Sequence, residues 1–596
     1  MNDGKTQLSS ALLVLGAVLL AAPPAAATRI KDIEPETARW REGRDHLLHG
    51  KPRQTLLLFG LKPAALDAAT KALTPNLKKA TGAERALFAR AAVRVGRIKA
   101  ARQSLRGCHK LPCVFAAAHI EGLAGTRKGR LKLLAKAAKK HKSVQLQVEL
   151  GDALLSVGQK FAGRRVLDPL ADAYQAGELK QIRDLVAVAR SLALNGYFKD
   201  ANQVLAEAAE GATEEPERLL VELHWGLLFL SKYNFRDADL ALERVLKIDP
   251  FHPVATVAMA RIDLSSDNDV RRARKRLDAL LKRQPRNPGA LAMRAEVALR
   301  DEDLPAAVAF ARRGLAASQD HRAALHALAA AALRMDDAKT FKKIEKKALS
   351  LDPSDGGLYL KAAHYLELGH RYPEVLKLLR KALKKDPELW QAHAQLGMGY
   401  ARVADDKNAA KHLSLAFDND PFNVRTANVL NVLYDGVLKH MHTLKGEHVA
   451  LRVHRKSRKA LVRTVLPLLQ RSYEVLAKKY AMAAKKPLQV EIFPTTEQFS
   501  VRTVGLPRLG AHAVCFGHLI TSRSPREAPF NWKMVLHHEM SHVFHIQASG
   551  GRVPRWLTEG VAMMESAWLD KSWHIVAERR AYDRLKADKL AKIETF

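Results

Sequence analysis

Apolar positions recur with helical spacing through most of the chain, and prolines divide the helices into units of equal length. The prolines that mark the unit ends are Pro250, Pro285, Pro353, Pro387 and Pro421. The last two steps are 34 residues each, and the step of 68 residues from Pro285 to Pro353 is two such periods. A sustained period of this length with helical patterning predicts an array of stacked helix pairs.

One unit, WQAHAQLGMGYARVADDKNAAKHLSLAFDNDP, shows the internal pattern. Gly397 and Tyr400 lie in its first helix, and the small residues Ala409 and Ala416 lie in its second helix. Small residues at these positions let the two helices approach closely. The pattern resembles tetratricopeptide repeats over roughly residues 185–423.

The predicted fold class is therefore mostly α, with a tetratricopeptide-like solenoid as the larger part. Residues 28–184 keep the helical texture without the proline period and are interpreted as degenerate helical repeats. Residues 185–435 form the predicted array. A stack of helix pairs leaves a concave surface, which predicts a groove for a protein partner or a peptide. The sequence nominates no ligand residues in that groove.

The hydrophobic pattern changes after Tyr434. HVALRVH, residues 448–454, and LQVEIFP, residues 488–494, alternate as strands do, and a basic amphipathic helix is predicted between them from about Ser457 to Ala484. LGAHAVCFGHLITSRS predicts one or two further extended segments, and NWKMVLHHEMSHVFHIQAS predicts a helix that ends at two glycines. These elements predict a separate mixed α/β domain over residues 445–596.

The helix of this domain contains one H-E-x-x-H pattern, formed by His538, Glu539 and His542. Two histidines four residues apart share one helix face, so both imidazoles can bind one metal ion. Glu539 projects about 100° away from His538 around the helix, where its carboxylate can hold a water molecule instead of the metal. The pattern predicts a catalytic zinc site rather than a structural one.

A catalytic zinc usually has three protein ligands, so a third must come from elsewhere. His545 lies about 10 Å from His538 along the helix axis, and His537 faces another side, so both are expected to be ordinary surface or core residues. The better candidate is Glu559 in PRWLTEGVA, which opens the next predicted helix. H-E-x-x-H followed by this block resembles the gluzincin metallopeptidases, in particular aminopeptidase-N-like and peptidase-MA-like domains.

The resemblance implies a thermolysin-like α+β domain that binds Zn²⁺ through His538, His542 and Glu559, with Glu539 as the general base. It also implies hydrolysis of peptide bonds in protein substrates, which the solenoid would recruit. LGAHAVCFGH lacks the Glu that binds the substrate amine in the aminopeptidases, which favours an endopeptidase. The alternative is a non-catalytic tetratricopeptide scaffold with a degenerate or structural zinc domain.

The family also needs a donor for the oxyanion of the tetrahedral intermediate, commonly a Tyr or His downstream of the third ligand. Tyr582 is the first choice and His574 the second, and His512 or His518 are the upstream alternatives. Since only 37 residues follow Glu559, the domain is expected either to end early at its C-terminal side or to close with an unusual residue.

Charge and the N-terminal segment complete the expectations from sequence. The chain has 98 Lys and Arg against 62 Asp and Glu, a net charge of +36, which would permit contact with an anionic surface. It has no nucleic-acid-binding motif, so no specific nucleic-acid partner is predicted. Residues 1–27 resemble a signal peptide cleaved after Ala27, which predicts a periplasmic or secreted protein with no transmembrane segment after cleavage.

The chain has three cysteines, and an oxidising compartment would act on them. Cys108 and Cys113 either form a disulfide that closes a small loop or remain ordinary buried thiols. Cys515 is expected to be buried and free.

Overall fold

The computed structural model describes residues 80–266, 269–485, 488–527 and 529–587. The predicted signal peptide, residues 1–27, and the first part of the predicted degenerate repeats lie outside the described residues. Among the described residues, no helix is both long enough and apolar enough to cross a membrane.

Helices follow one another without a strand from residue 82 to residue 428 of the described chain. They are α1 Gly82–Arg94, α2 Ile98–Ser104, α3 Leu111–Ala124, α4 Arg127–Ala138, α5 Val144–Ser156, α6 Lys160–Leu167, α7 Pro169–Gln175, α8 Ile182–Leu194, α9 Phe198–Gly211, α10 Glu215–Ser231, α11 Phe235–Ile248, α12 Pro253–Ser265, α13 Val270–Arg283, α14 Pro288–Arg300, α15 Leu304–Ala317, α16 Arg322–Arg334, α17 Ala338–Leu351, α18 Gly357–Glu367, α19 Tyr372–Lys385, α20 Trp390–Arg402, α21 Asp406–Asn419 and α22 Val424–Asn428. A π-helical turn, Val429–Tyr434, and a 3-10 turn, Val437–His440, follow α22.

Small residues bring the two helices of each pair into close contact. A Cβ at Gly397 of α20 would lie 2.7 Å from Leu413 Cγ of α21. A Cβ at Gly226 of α10 would lie 2.7 Å from Leu242 Cγ of α11. Ala409 is fully buried in the same α20–α21 contact. The predicted tetratricopeptide-type solenoid, a mostly helical fold, is therefore confirmed.

Acidic residues that precede the periodic prolines connect distant parts of the solenoid. Asp386 accepts a hydrogen bond from Lys160 Nζ at 2.5 Å, and Asp420 accepts one from Lys232 Nζ at 2.7 Å. The partners are 226 and 188 residues apart, so the superhelix returns on itself and its successive turns touch. The period of the prolines predicts each helix pair, but it does not predict these contacts between successive turns of the superhelix.

A five-stranded mixed sheet follows the solenoid, with the order β1-β2-β3-β5-β4. The strands are β1 Met441–Lys445, β2 Ala450–His454, β3 Gln489–Phe493, β4 Ala513–Cys515 and β5 Leu519–Arg523. β2, β3 and β5 are parallel neighbours, whereas β1 and β4 run antiparallel at the two edges. β1 begins at Met441, so the sheet starts before residue 445, where sequence placed the boundary.

Five helices accompany the sheet in the described residues from 441 to 587. They are α23 Arg458–Lys479, α24 Thr496–Val504, α25 Trp532–Ser549, α26 Arg555–Leu569 and α27 Ile575–Lys586, with 3-10 turns at Arg455–Ser457 and Lys571–His574. The predicted helix after HVALRVH is α23, and it ends at Lys479 rather than near Ala484. Ala481 has φ 49°, which is outside the helical region and explains the earlier end.

The sheet domain and the solenoid share apolar and charged contacts. Met398 and Leu413 of the solenoid belong to the same buried cluster as Phe493 and Phe499 of the sheet domain. Arg402 Nη2 donates to the Thr503 carbonyl at 3.1 Å. These contacts attach α20 and α21 directly to β3 and α24.

The three cysteines adopt one of the arrangements left open by the sequence. Cys108 and Cys113 form a disulfide. Cys515, the last residue of β4, is buried and free as expected.

Candidate metal centre

Two consecutive helices, α25 and α26, carry the predicted ligands. Asn531 begins α25 by accepting a hydrogen bond from the Met534 amide at 3.2 Å. Gly550 and Gly551 end it with φ values of 59° and 74°, a left-handed conformation that glycine adopts without steric cost. The chain then reverses, and α26 begins directly after Pro554. The short connection brings the first turn of α26 beside the H-E-x-x-H turns of α25.

The three predicted ligand side chains converge on one point. His538 Nε2 lies 3.1 Å from His542 Nε2 and 3.3 Å from Glu559 Oε2. His542 Nε2 lies 3.6 Å from the same Glu559 oxygen. Tetrahedral zinc with bonds of about 2.0–2.1 Å requires ligand atoms about 3.3 Å apart. In the described residues, this is the group of His, Cys, Asp and Glu side chains with spacing suited to a metal ion.

Glu559 is negatively charged in this setting. Hydrogen bonds from His538 and His542 hold the pKa of its carboxyl well below the usual range. Arg555, one helical turn earlier, places Nε 3.6 Å from Glu559 Oε1. A carboxylate and two imidazoles are a donor set that zinc accepts, so the residues fit the ion.

Glu539 lies beside the ligands but does not join them. Burial raises the pKa of its carboxyl, and the charges of His542 and His538, followed by a hydrogen bond from the Cys515 backbone, partly offset that shift. Cys515 ends β4, so the edge strand of the sheet reaches the carboxylate. A buried carboxylate with a raised pKa is a stronger base than a solvated one, which suits a proton acceptor.

Behind His542 lies a chain of polar side chains that the sequence did not reveal. Thr558 Oγ1 is 2.8 Å from both His542 Nδ1 and His545 Nδ1. His545 Nε2 is 2.8 Å from the Tyr480 hydroxyl, which donates to Glu565 Oε1 at 2.8 Å. We call these four side chains, Thr558, His545, Tyr480 and Glu565, the relay.

The positions of the hydrogens in the relay follow from the groups at its two ends, His542 and Glu565. When His542 Nε2 binds a metal, its Nδ1 carries the hydrogen and donates to the Thr558 oxygen. The Thr558 hydroxyl then donates to His545 Nδ1, and His545 Nε2 donates to the Tyr480 oxygen. Thr558, His545 and Tyr480 each accept one hydrogen bond and donate one, and Glu565 accepts the last, so the relay fixes the tautomer and the ring orientation of His542.

His545 is therefore more than the ordinary residue that the sequence indicated. Burial lowers the pKa of its imidazole to about 4, which keeps it neutral and able both to accept and to donate. The sequence shows His545 at H-E-x-x-H-x-x-H spacing, but it gives no sign that His545 contacts Tyr480, the residue that follows α23.

Replacing Thr558 with valine should weaken zinc binding by about 10–100-fold, the usual effect of losing the group that orients a metal-bound histidine. Valine keeps the shape of threonine but cannot bridge the two imidazoles. The zinc dissociation constant is measured by competition with a chelating dye. Thr464→Val on the exposed side of α23 is the control, and equal affinities in the two variants would show that the relay does not orient His542.

The structure also places the residues that the sequence offered as oxyanion donors, together with His537. Tyr582 is 61% exposed on α27. His574 is buried in the 3-10 turn before α27, and His512 stacks on Phe530 with ring centroids 4.7 Å apart. His518 accepts the Gln489 amide at its carbonyl, and His537 is fully buried 6.3 Å from the Trp573 ring. The role of Tyr582 as oxyanion donor stays a prediction.

Comparison with known proteins gives matches among solved structures. No family model and no curated protein matches the chain. The pilF protein of Pseudomonas aeruginosa has 19% identity and a TM-score of 0.24, with 34% of this chain and 93% of that chain covered. A tetratricopeptide repeat protein from Parabacteroides merdae has 13% identity and a TM-score of 0.29, with 41% and 98% covered.

A third similar structure is YrrB, described as a tetratricopeptide repeat protein with an unusual peptide-binding site. It has 18% identity and a TM-score of 0.19, with 32% of this chain and 98% of that chain covered. Because these TM-scores are low, the description of the solenoid rests on its own helix pairs, and that of the metal centre on its own geometry.

Proposed function

We propose that the chain is a zinc-dependent metallopeptidase whose solenoid recruits protein substrates. The observation that carries the proposal is the spacing of His538 Nε2, His542 Nε2 and Glu559 Oε2, at 3.1–3.6 Å, beside a buried carboxylate that is not a ligand. A structural zinc site has four protein ligands and no use for such a carboxylate.

The zinc ion and the protein side chains would each supply part of the hydrolytic chemistry. A zinc ion held by these three side chains would polarise a peptide carbonyl and lower the pKa of a coordinated water. Glu539 would accept a proton from the attacking water and deliver it to the leaving amine. The relay would keep His542 in one orientation throughout.

The edge strand β4 offers a binding mode for the substrate. It pairs with β5 on one side only, in the order β3-β5-β4, and its last residue, Cys515, contacts Glu539 through its backbone. An extended peptide that pairs with the free edge of β4 would run beside the metal centre. This mode recognises the backbone, which favours an endopeptidase acting on unfolded segments.

The proposed location of the protein is an exported one, periplasmic or secreted. The Cys108–Cys113 disulfide supports it, since disulfides persist in oxidising compartments. Tetratricopeptide-type solenoids commonly bind peptides or proteins, so the array is proposed to gather the substrate.

A protein-binding scaffold without catalysis is the second candidate. The length of the repeat array favours this scaffold, because helices α8–α22 span residues 182–428 and a long solenoid offers an extended binding surface. In that case the zinc site would stabilise the fold, and the protein would bind unfolded proteins without cleaving them.

Removal and return of the metal tests the first candidate against the second. Treating the protein with a chelator should abolish hydrolysis of denatured casein, and adding back one equivalent of Zn²⁺ should restore it. Cleavage is measured by mass spectrometry of the peptides. Casein that stays intact with the zinc-loaded protein would leave the scaffold as the better account.

A further inference from the structure

One residue position recurs at the turn between the two helices of four consecutive repeats. It is occupied by Glu302, Asp336, His370 and Ala404, which are 34 residues apart and have φ values of 61°, 56°, 56° and 62°. The four φ values are nearly equal, and a positive φ is uncommon outside glycine. The four repeats therefore share one unusual turn geometry. Equal positions in stacked repeats lie along one edge of a solenoid. We call this edge the turn ridge.

The turn ridge lies against the connection that joins α25 to α26. Glu302 Oε2 accepts a hydrogen bond from the Arg555 amide at 3.2 Å. Asp336 Oδ2 accepts one from Arg552 Nε at 2.7 Å. Two successive repeats therefore hold the segment between the H-E-x-x-H helix and the Glu559 helix.

The third repeat makes the closest approach. The Gly369 carbonyl lies against Gly551, where an added Cβ would come within 2.2 Å of that oxygen. The next residue, His370, has its ring 6.5 Å from that of Phe516, the neighbour of Cys515 at the end of β4. The solenoid thus reaches both the turn after α25 and the strand end beside Glu539.

His370 lies between the turn after α25 and the end of β4. Its Nδ1 is buried and has no hydrogen-bond partner among the described residues. Burial, followed by the charges of His542 and Arg555, lowers the pKa of the imidazole to about 4, and the charge of Glu559 opposes the shift. A neutral imidazole keeps one N–H donor.

The repeat that carries His370 also departs from its neighbours. Asp303, Asp337 and Asp405 follow the ridge residue in the other three repeats, and each begins the next helix by accepting a backbone amide. The corresponding residue here is Arg371, which makes no such cap. This turn therefore differs from the others at the place where the ridge meets the metal centre.

We propose that the solenoid supplies a catalytic residue, with the imidazole N–H of His370 donating a hydrogen bond to the oxyanion that forms when the peptide carbonyl is attacked. The inference rests on the proposed peptidase function and goes beyond it, since it makes the array part of the active site. It also assigns the donor that the sequence sought in Tyr582.

Two substitutions suit the backbone at this position. Ala404 shows that alanine is accepted at this turn with φ 62°, and asparagine tolerates the same region. His370→Ala should lower kcat for denatured casein by about 100-fold, with KM and zinc content unchanged. His370→Asn keeps an N–H donor, so its kcat should fall less than that of His370→Ala. Glu474→Gln, on the exposed side of α23 and outside the turn ridge, is the control.

A binding measurement checks the same role without catalysis. Inorganic phosphate offers a tetrahedral oxyanion, and its affinity for the Co²⁺-substituted protein is read from ³¹P line broadening. We expect phosphate to bind His370→Ala about tenfold more weakly than the wild type or Glu474→Gln, the effect of one hydrogen bond to a charged group. Equal binding to wild type and His370→Ala, or no binding to the wild type, would overturn the inference.

The two measurements separate this inference from the proposed function. If His370→Ala retains full kcat, the array supplies no catalytic group although the peptidase proposal stands. If phosphate binding depends on His370 but the zinc-loaded wild type leaves casein intact, the peptidase proposal falls and the position of His370 at the anion site stands.

Discussion

Replacing Glu539 with glutamine is expected to lower kcat for casein hydrolysis by about 10²–10⁴-fold while zinc remains bound. Glutamine has nearly the shape of glutamate but cannot accept a proton. Because Glu539 is beside the ligands and not among them, the change should leave the positions of His538, His542 and Glu559 unaltered. Loss of activity without loss of metal would assign the proton transfer to this carboxylate.

The measurement needs both the rate and the zinc content of each preparation. Glu474→Gln on the exposed side of α23 is the matched control and should hydrolyse casein at the wild-type rate. Equal turnover by the wild type and Glu539→Gln would point to a different mechanism or to a contaminating peptidase.

Replacing Glu491 with glutamine is expected to lower the free energy of unfolding by about 3 kcal/mol, because among the described residues the buried Arg502 and the partly buried Arg452 then keep only the less buried Asp406 as a counter-charge. Glu491 on β3 is fully buried and accepts hydrogen bonds from Arg502 Nε at 2.7 Å and Arg452 Nη1 at 3.1 Å. Arg502 also donates to the Ala401 carbonyl of the solenoid at 2.9 Å. The glutamate therefore stabilises both the sheet and its junction with α20.

Urea unfolding of the full chain measures this effect. Glu474→Gln serves again as the control, since an exposed substitution away from such networks changes stability by about 0.5 kcal/mol or less. A Glu491→Gln variant as stable as the control would show that water or a rearranged partner satisfies the two arginines.

The fold was predictable where its signals are local. The period of the prolines and the small residues at Gly397 and Ala409 are properties of single repeats, so one sequence displays them. The alternation in HVALRVH and LQVEIFP likewise identified β2 and β3. The convergence of His538, His542 and Glu559 was predictable because His538 and His542 share a helix face and because the Glu559 block resembles a known family.

Contacts between distant segments could not be predicted in this way. Tyr480, the residue after α23, and Glu565, on α26, are 85 residues apart and both belong to the relay. Neither has a local sequence signal. His370 occupies the same repeat position as Ala404, and only the docking of the sheet domain on that edge brings it beside the end of β4. Lys160 and Asp386 meet because the superhelix returns on itself, which depends on the small rotation between successive repeats.

The zinc content of the purified protein tests the central claim most directly. By elemental analysis, the wild type and His512→Ala, an exposed histidine of the same domain, should each contain about one zinc per chain. His538→Ala and Glu559→Ala should contain almost none after dialysis. A wild-type protein without zinc, or full zinc in both ligand variants, would contradict the assignment of His538, His542 and Glu559 as a metal centre.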